Sequence, residues 1–266
     1  MAKLRPLDAE RRRASGAGPD FSEALARGLQ VITAFGSDSQ QMTLSDVARA
    51  VDLPRATVRR ALYTLERLGY VEANGRLFRL TAHVLRLASA YLAANAVSAV
   101  VQPICEAITR RTDEICGAGV LDGNEVAMIA RALPAQLIPV GGGVGYRVPA
   151  HCSTLGRVLL AALPDAALDE RLSRMGMTPP TRFSITDSAA LRREILEIRR
   201  QGFSYADQEA EYGFRSLAVP LRRFDGAVVA ALHIVARIER ITEAEMLGPE
   251  LGLLREAAAT LRERLI

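Results

Sequence analysis

Residues 44–80, LSDVARAVDLPRATVRRALYTLERLGYVEANGRLFRL, constrain this chain more than any other stretch. Thr43 precedes an apolar stripe at Leu44, Val47, Ala48 and Val51, the i, i+3, i+4, i+7 spacing of one helix face. Thr43 suits the N-cap, and the helix dipole favours Asp46 in the first turn. Asp52 and Leu53 break the pattern. Pro54 then fits the first position of a second helix, where its missing N–H costs nothing. That helix is predicted over 54–68, stopped by Gly69, with Val58, Leu62, Leu65 and Leu68 turned inward. Asn74–Gly75, between apolar runs at 70–72 and 77–80, signals a hairpin. Helix, turn, helix and two-stranded wing is a fold that lays one helix in the DNA major groove.

The outer face of the second helix carries Ala56, Arg60, Tyr63 and Arg67, flanked by Thr57 and Arg59. Arginine pairs bidentately with guanine, and small residues let the backbone come close to base edges. Thr43, Arg55 and, on the wing, Arg76 complete the candidate DNA contacts, with Arg79 beside the last of them. The plain alternative is an amphipathic helix pair with solvated arginines. Charge speaks against it: residues 1–80 hold 13 Lys+Arg against 9 Asp+Glu, so the whole formal excess of +4 lies there. A basic excess favours nucleic acid without specifying its sequence.

A chain of 266 residues divides most naturally into two domains. Residues 1–20, with Arg11, Arg12 and Arg13, are expected to be a flexible basic tail. Residues 21–80 form the winged helix-turn-helix, its first helix capped by Ser22, carrying Leu25, Leu29, Ile32 and Phe35, and ended by Gly36. Residues 81–97 form a linker helix with a stripe at Val84, Leu87, Ala88 and Tyr91, a natural dimer contact, since two readers match two half-sites. Residues 98–266 form the second domain. Its strands 114–121, 125–133, 202–210, 214–222 and 227–237 alternate with helices at 97–112, 153–163 and 188–201. A final helix starts at Thr242, with Leu247, Leu251, Leu254, Ala258 and Leu261 on one face. Hairpins around central helices indicate an α+β module with a curved antiparallel sheet.

Cys105, Cys116 and Cys152 lie far apart with no CxxC, which argues against a disulfide framework or zinc cluster and for a reducing cytoplasm. No stretch approaches the ~18–20 apolar residues of a membrane span. No cofactor motif is present: the glycines of 139–145 lack a G-K-[ST] ending and read as a bent loop at a pocket rim.

Several residues of the second domain suit a small anion. Ser153 and Thr154 open a helix, whose N-terminus offers N–H groups and a positive dipole end; simple capping by Ser153 is the alternative. Arg215 follows Gly213 at a strand entry, and its planar fork matches a carboxylate; a pair with Glu209 or Glu211 is the alternative. His233 stands in an otherwise apolar strand, as ligand contact or satisfied core histidine. His151 either contacts the ligand or holds its loop.

The segments LARGLQVITAF, LPRATVRRALYTLERLGYV, YRVPAHCSTLGRVLLAALP and DQEAEYGFRSLAVPLRRFDGAVVAALHI resemble the IclR family of bacterial transcriptional regulators. The resemblance spans residues 21–262. The last two segments are most similar to the subgroup governing aromatic-acid catabolism through the β-ketoadipate pathway, which responds to protocatechuate, 4-hydroxybenzoate or β-ketoadipate. The resemblance implies a GAF/PAS-like effector domain, homodimers that pair into tetramers, and double-stranded operator DNA as partner. It implies a carboxylate pocket lined here by Ser153, Thr154 and Leu155, by Asp207, by Arg215 and Ser216, and by His233 and Val235. It departs at His233, where a small polar residue is usual.

Two other readings were open to the residues. Ser153, Asp207 and His233 occur in hydrolase order, but HCSTLG is not GxSxG. His151, Cys152 and His233 could serve a metal-responsive regulator, although adjacent side chains on a strand or turn point apart.

Overall fold

The computed structural model describes residues 18, 20–36, 39–94, 96–135 and 143–265. Most of the expected basic tail and of the 139–145 loop lies outside the described residues. The chain divides into two compact units, Met1–Leu87 and Ala88–Ile266.

In the first unit, α1 (Glu23–Thr33) is capped by Ser22, whose hydroxyl accepts from the Leu25 amide at 3.4 Å. Strand β1 (Met42–Thr43) leads into α2 (Leu44–Ala50). The expected cap forms as a reciprocal box: the Asp46 amide donates to Thr43 Oγ1 at 3.3 Å, and the Thr43 amide donates to Asp46 Oδ2 at 3.1 Å. These bonds, Thr43's hydroxyl first, hold the Asp46 carboxyl below its usual range. Asp52 then takes a positive φ of 48°, and α3 (Arg55–Arg67) follows with Pro54 as its N-cap rather than its first residue. Val31, Val47, Val58, Leu62, Leu65 and Val71 make the small core.

Three expectations fail here for local reasons. Leu68 is the C-cap of α3, where the chain has begun to turn, and is exposed. On α1 the buried residue is Val31, so Leu25 and Leu29 face solvent. The wing pairs β2 (Val71–Asn74) with β3 (Leu77–Leu80), and β1 joins the far side of β3. Asn74 pairs with Leu77, so the two-residue turn is Gly75–Arg76, one place later than Asn74–Gly75 suggests. Gly75 supplies the positive φ of 62° that the first turn position requires.

A 3₁₀ turn (Ala82–Val84), capped by Thr81, leads into α4 (Leu85–Ala94), which occupies only part of the segment 81–97 expected to be one helix. Beyond α5 (Ala96–Thr112) come β4 (Ile115–Asp122), β5 (Glu125–Ala132), the short β6 (Arg147–Pro149), α6 (Thr154–Ala161), α7 (Asp165–Arg174), α8 (Ser188–Gln201), β7 (Ser204–Asp207), β8 (Phe214–Arg222) and β9 (Val228–Arg237). The chain closes with α9 (Glu243–Glu245), a π-helical stretch (Met246–Glu250) and α10 (Leu251–Arg262). The strands form one antiparallel sheet in the order β6-β5-β4-β9-β8-β7.

Each sheet face has its own core. One holds Cys116, Ala118, Leu217, Val219, Leu232 and Ile234 against α5 and α10. The other holds Val126, Met128, Ala218 and Ala231 against α6, α7 and α8. The π stretch explains a miss in the final helix: its wider turn shifts the inward face by one residue, so Met246 is fully buried and Leu247 is exposed.

Candidate functional sites

The outer face of α3 presents Arg55, Ala56, Arg59, Arg60, Tyr63 and Arg67 to solvent, with Thr57 half-buried. No acidic residue occupies its first turn, so nothing there offsets the positive helix end. Arg76 stands at the wing tip, while Arg79 is engaged by Glu72. Thr43 has another task. Its hydroxyl donates to Asp46 Oδ2 at 2.7 Å and is committed to the cap of α2.

The second candidate site lies on the sheet face beneath α6. Pairing of β4 with β9 sets Gly117 opposite His233, Gly119 opposite Ala231 and Ile115 opposite Val235. Pairing of β8 with β9 sets Ser216 opposite Val235 and Ala218 opposite His233. These residues share one face, because side chains alternate along a strand. A Cβ at Gly117 would lie 2.6 Å from Met128 Cε and 3.1 Å from His233 Nε2. One at Gly119 would lie 2.3 Å from Val126 Cγ1 and 3.5 Å from Leu155 Cδ1. The absence of a Cβ at these two positions therefore lets the side chains of Met128 and Val126 pack down onto β4.

Two polar atoms of this region, Thr154 Oγ1 at the start of α6 and His233 Nε2 on β9, are buried without a hydrogen-bond partner among the described residues. Such atoms are rare in native proteins, and each calls for a ligand or another explanation. Burial pushes the His233 imidazole down to about 3, with the charge of Arg131 adding to the effect; part of the residue still reaches solvent. Along the same face, one step beyond Gly117 and His233, opens a cavity of about 200 Å³ lined by Ile115, Val235, Phe214, Arg237 and Pro134 among others.

Of the expected pocket residues, Ser216, His233 and Val235 come together on this face and Leu155 reaches it beside Gly119. Asp207 and Arg215 do not. They pair with each other across β7 and β8, on the face of Leu217, Val219 and Leu221 that packs against α10. Arg215 Nε donates to Asp207 Oδ2 at 3.1 Å and its Nη1 donates to the Ile241 carbonyl at 2.7 Å. The guanidinium is thus turned away from the His233 face and closes the sheet onto the C-terminal helices. In place of Asp207, the β7 residue beside Ser216 on the open face is Ala206.

Ser153 and His151 support the site rather than line it. The Ser153 hydroxyl donates to the Pro149 carbonyl at 2.8 Å and accepts from the Gly156 amide at 3.2 Å. His151 Nε2 lies 3.2 Å from the Thr178 carbonyl, and burial holds its imidazole below the usual range. Cys152 is buried and its thiol is pushed up to about 11. These engagements leave neither a Ser153–Asp207–His233 triad nor a His151–Cys152–His233 metal set, and among the described residues no group of three such side chains could hold a metal.

Sequence reasoning passed over Arg157 and Arg131. Arg157 is almost wholly buried and holds Glu209 through both terminal nitrogens, Nη1 to Oε1 at 2.7 Å, while its Nε donates to the His151 carbonyl at 2.8 Å. Glu209 was the expected alternative partner of Arg215; it is bound elsewhere. Arg131 pairs in register with Gly117 and so stands on the open face.

Residues 24–75 match the IclR helix-turn-helix domain, and residues 89–262 match the bacterial transcriptional regulator IclR C-terminal domain. The chain belongs to the IclR family of transcriptional regulators. Among its IclR-type relatives, the Pca regulon regulatory protein of Pseudomonas putida is 37% identical over 97% of this chain and 89% of its own length. The p-hydroxybenzoate hydroxylase transcriptional activator of Acinetobacter baylyi is 32% identical over 91% of this chain and 92% of its own. A solved IclR homolog from Microbacterium hydrocarbonoxydans, complexed with 4-hydroxybenzoate, is 30% identical over 90% of this chain and 98% of its own, with a TM-score of 0.76. The N-terminal unit is accordingly the DNA-binding part of an IclR regulator, and among the described residues no helix is long and apolar enough to cross a membrane.

Proposed function

We propose that this IclR-family chain is a cytoplasmic transcriptional regulator of aromatic catabolism, not an enzyme. It binds double-stranded operator DNA through residues 21–80 as a homodimer or a tetramer. A small carboxylate, either an aromatic acid such as protocatechuate or 4-hydroxybenzoate, or β-ketoadipate, controls it from residues 98–266, through the linker at 81–97. The observation that carries the effector reading is a pair of buried polar atoms, Thr154 Oγ1 and His233 Nε2, that have no hydrogen-bond partner among the described residues. The 4-hydroxybenzoate bound by the Microbacterium homolog supports the ligand class.

Exposed apolar residues support self-association. Leu25 and Leu29 on α1 and Leu85, Leu87 and Tyr91 on α4 all face solvent, and burying such side chains stabilises an assembly by roughly 25 cal/mol per Å² of apolar surface. On DNA, Arg55, Ala56, Thr57, Arg59, Arg60 and Tyr63 read the groove and Arg76 meets the backbone. Effector binding changes occupancy only insofar as the acid prefers one arrangement of the paired readers over another.

The test is a thermal-shift panel of aromatic and short aliphatic carboxylates, followed by fluorescence anisotropy on upstream duplex with and without the binders. A specific acid raises Tm with concentration. A flat response across the aromatic acids would sink the effector assignment, and DNA binding insensitive to both salt and sequence would sink the operator assignment.

A further inference from the structure

The wing brings the start of the linker back to the end of the reading helix. Helix α3 stops at Gly69, which holds a positive φ of 80°. The Gly69 amide donates to the Glu66 carbonyl at 3.0 Å and the Tyr70 amide to the Leu65 carbonyl at 2.9 Å, the paired bonds of a Schellman cap. Tyr70 is thereby fixed to the last turn of α3. At the base of the wing Val71 pairs with Leu80, which sets Thr81 beside Tyr70. The Thr81 amide donates to the Tyr70 carbonyl at 3.0 Å.

Side chains then close the junction. The Thr81 hydroxyl accepts from the His83 amide at 3.2 Å, which starts the 3₁₀ turn. A cap needs no more than that, yet the same hydroxyl also donates to the Gly69 carbonyl, the stop of α3. The His83 ring stands edge-on to the Tyr70 ring, with centres 4.7 Å apart and planes at 89°. Arg86 Nη1 lies 3.4 Å from His83 Nε2; arginine can only donate, so that nitrogen accepts. Tyr70, Thr81 and His83 are all half-buried. The first turn of the linker is thus clasped to the end of the reading helix on two sides, by hydrogen bonds and by a ring contact.

The position of this clasp gives it leverage. Helix α3 has 13 residues and is about 20 Å long at 1.5 Å per residue. The residues that meet base edges lie at its other, N-terminal end. A rotation of roughly 10° about Gly69 would carry them about 3.4 Å, the rise of one base pair.

We propose that Thr81 and His83 are positioning residues for operator recognition: by holding the linker against the end of α3, they fix the spacing between half-sites that a pair of readers accepts. This rests on the paired-reader reading above and adds a specificity that base contacts do not supply. The bases within a half-site are read by α3. The distance between half-sites is read by the angle at which each reader leaves its linker.

The full chain is tested first by selection from a pool of random-sequence duplexes. Anisotropy follows on the selected duplex and on versions with one base pair added or removed between the half-sites. The wild type is expected to select two half-sites at one spacing and to lose at least ~10-fold on either altered duplex, the scale of one mismatched base pair. Thr81→Val keeps the branched shape and removes the hydroxyl. It should cut the spacing loss below about threefold, while a mismatch inside a half-site still costs ~10-fold. Thr81→Ser, which keeps the hydroxyl, should retain the wild-type spacing preference, a rescue that separates the clasp from a general loss of stability. An unchanged spacing loss in Thr81→Val overturns the assignment. So does equal relaxation inside the half-sites, which would place the effect on the reading helix itself, and so does a wild type that binds the altered spacings equally well; all three leave the paired readers standing. A wild type that selects one half-site alone, or no sequence, removes the paired-reader reading and this proposal with it. Should Thr81→Val not fold, His83→Ala carries the test on the same two ratios, with the same outcomes.

Discussion

Arg157 in the core of α6 and Glu209 in the loop after β7 form a two-pronged ion pair whose guanidinium is almost wholly withdrawn from solvent. Glu209 Oε2 also accepts from the Ile185 amide at 3.3 Å, and its backbone carbonyl accepts from the Ser184 hydroxyl at 2.7 Å. The preceding residue, Gln208, holds a positive φ of 60°, a strained conformation that persists only where its surroundings over-determine it. The pair thus ties the turn that leads into α6, through the His151 carbonyl, to the strained turn between β7 and β8.

Removing one partner from this pair leaves the other charge buried. Glu209→Ala should destabilise the protein by about 3–5 kcal/mol, read as a lower urea midpoint. Asp169→Ala, which breaks the exposed pair with Arg192, should leave the urea midpoint nearly unchanged, since water screens such a pair. Equal losses in the two variants would show that Arg157 is not effectively buried.

Stability should fall with acidity well before the carboxylates titrate. The folded His233 imidazole is held down to about 3, chiefly by burial, against about 6.5 in an unfolded chain. Below pH 6.5 the unfolded state takes up a proton that the folded state refuses. The contribution is therefore fully present above that pH and is lost as pH falls toward 3. His151, also lowered by burial, acts in the same direction, while Glu114 and Glu250, raised by burial, act oppositely, with windows that start near 4.5. Between pH 7.5 and 5.5 the wild-type urea midpoint should drop, with a limiting slope of about 1.4 kcal/mol per pH unit per histidine. His233→Gln should flatten that slope; parallel curves would contradict the burial of this ring.

Two glycines should respond to alanine in different ways. At Gly156 a Cβ would lie 2.3 Å from the Ala150 backbone, which cannot yield without moving α6, so Gly156→Ala should cost at least about 1–3 kcal/mol of stability. At Gly117 the nearest atom is the flexible end of Met128 at 2.6 Å, with the Ala130 carbonyl and His233 Nε2 each at 3.1 Å, so Gly117→Ala should fold and lose less Tm than Gly156→Ala. Its cost should instead appear as at least a tenfold loss of aromatic-acid affinity by titration. Retained affinity would place the acid elsewhere.

On the DNA side, Arg60→Ala should weaken operator binding by about 1–3 kcal/mol. If Arg60 contacts phosphate, the slope of log affinity on log salt should fall by about one; if it reads a base, discrimination at one position should relax instead. Anisotropy across a salt series separates these outcomes, and Thr43→Ser, which preserves the cap, should change neither.

Where structure is set by neighbours in sequence, the residues announced it. The Thr43–Asp46 box and the helix Ser188–Gln201 with its left-handed stop at Gly202 follow from caps and spacing. The side of the sheet taken by Arg215 was also readable: in FRSLAVPLR it shares parity with Leu217, Val219 and Leu221, an apolar row that belongs in a core. The face of Arg131 was not readable. Its segment, EVAMIARA, is apolar at nearly every position and carries no glycine to mark a bulge; only the pairing with β4 reveals the extra residue. The exchange of Leu247 for Met246 depends likewise on one widened turn, and the partner of Arg157 lies 52 positions away.

The pairing of β4 with β5 shifts register between Ala118 and Gly119, which leaves Ile129 as an extra residue in β5 and sets Arg131 opposite Gly117. Loss of a single codon in β5 would reverse the parity of every later residue in that strand, swinging the cation into the α5 core and an alanine onto the open face. Deletion of one residue, usually counted as damage to a sheet, is here the change that would exchange the two faces of the end of β5.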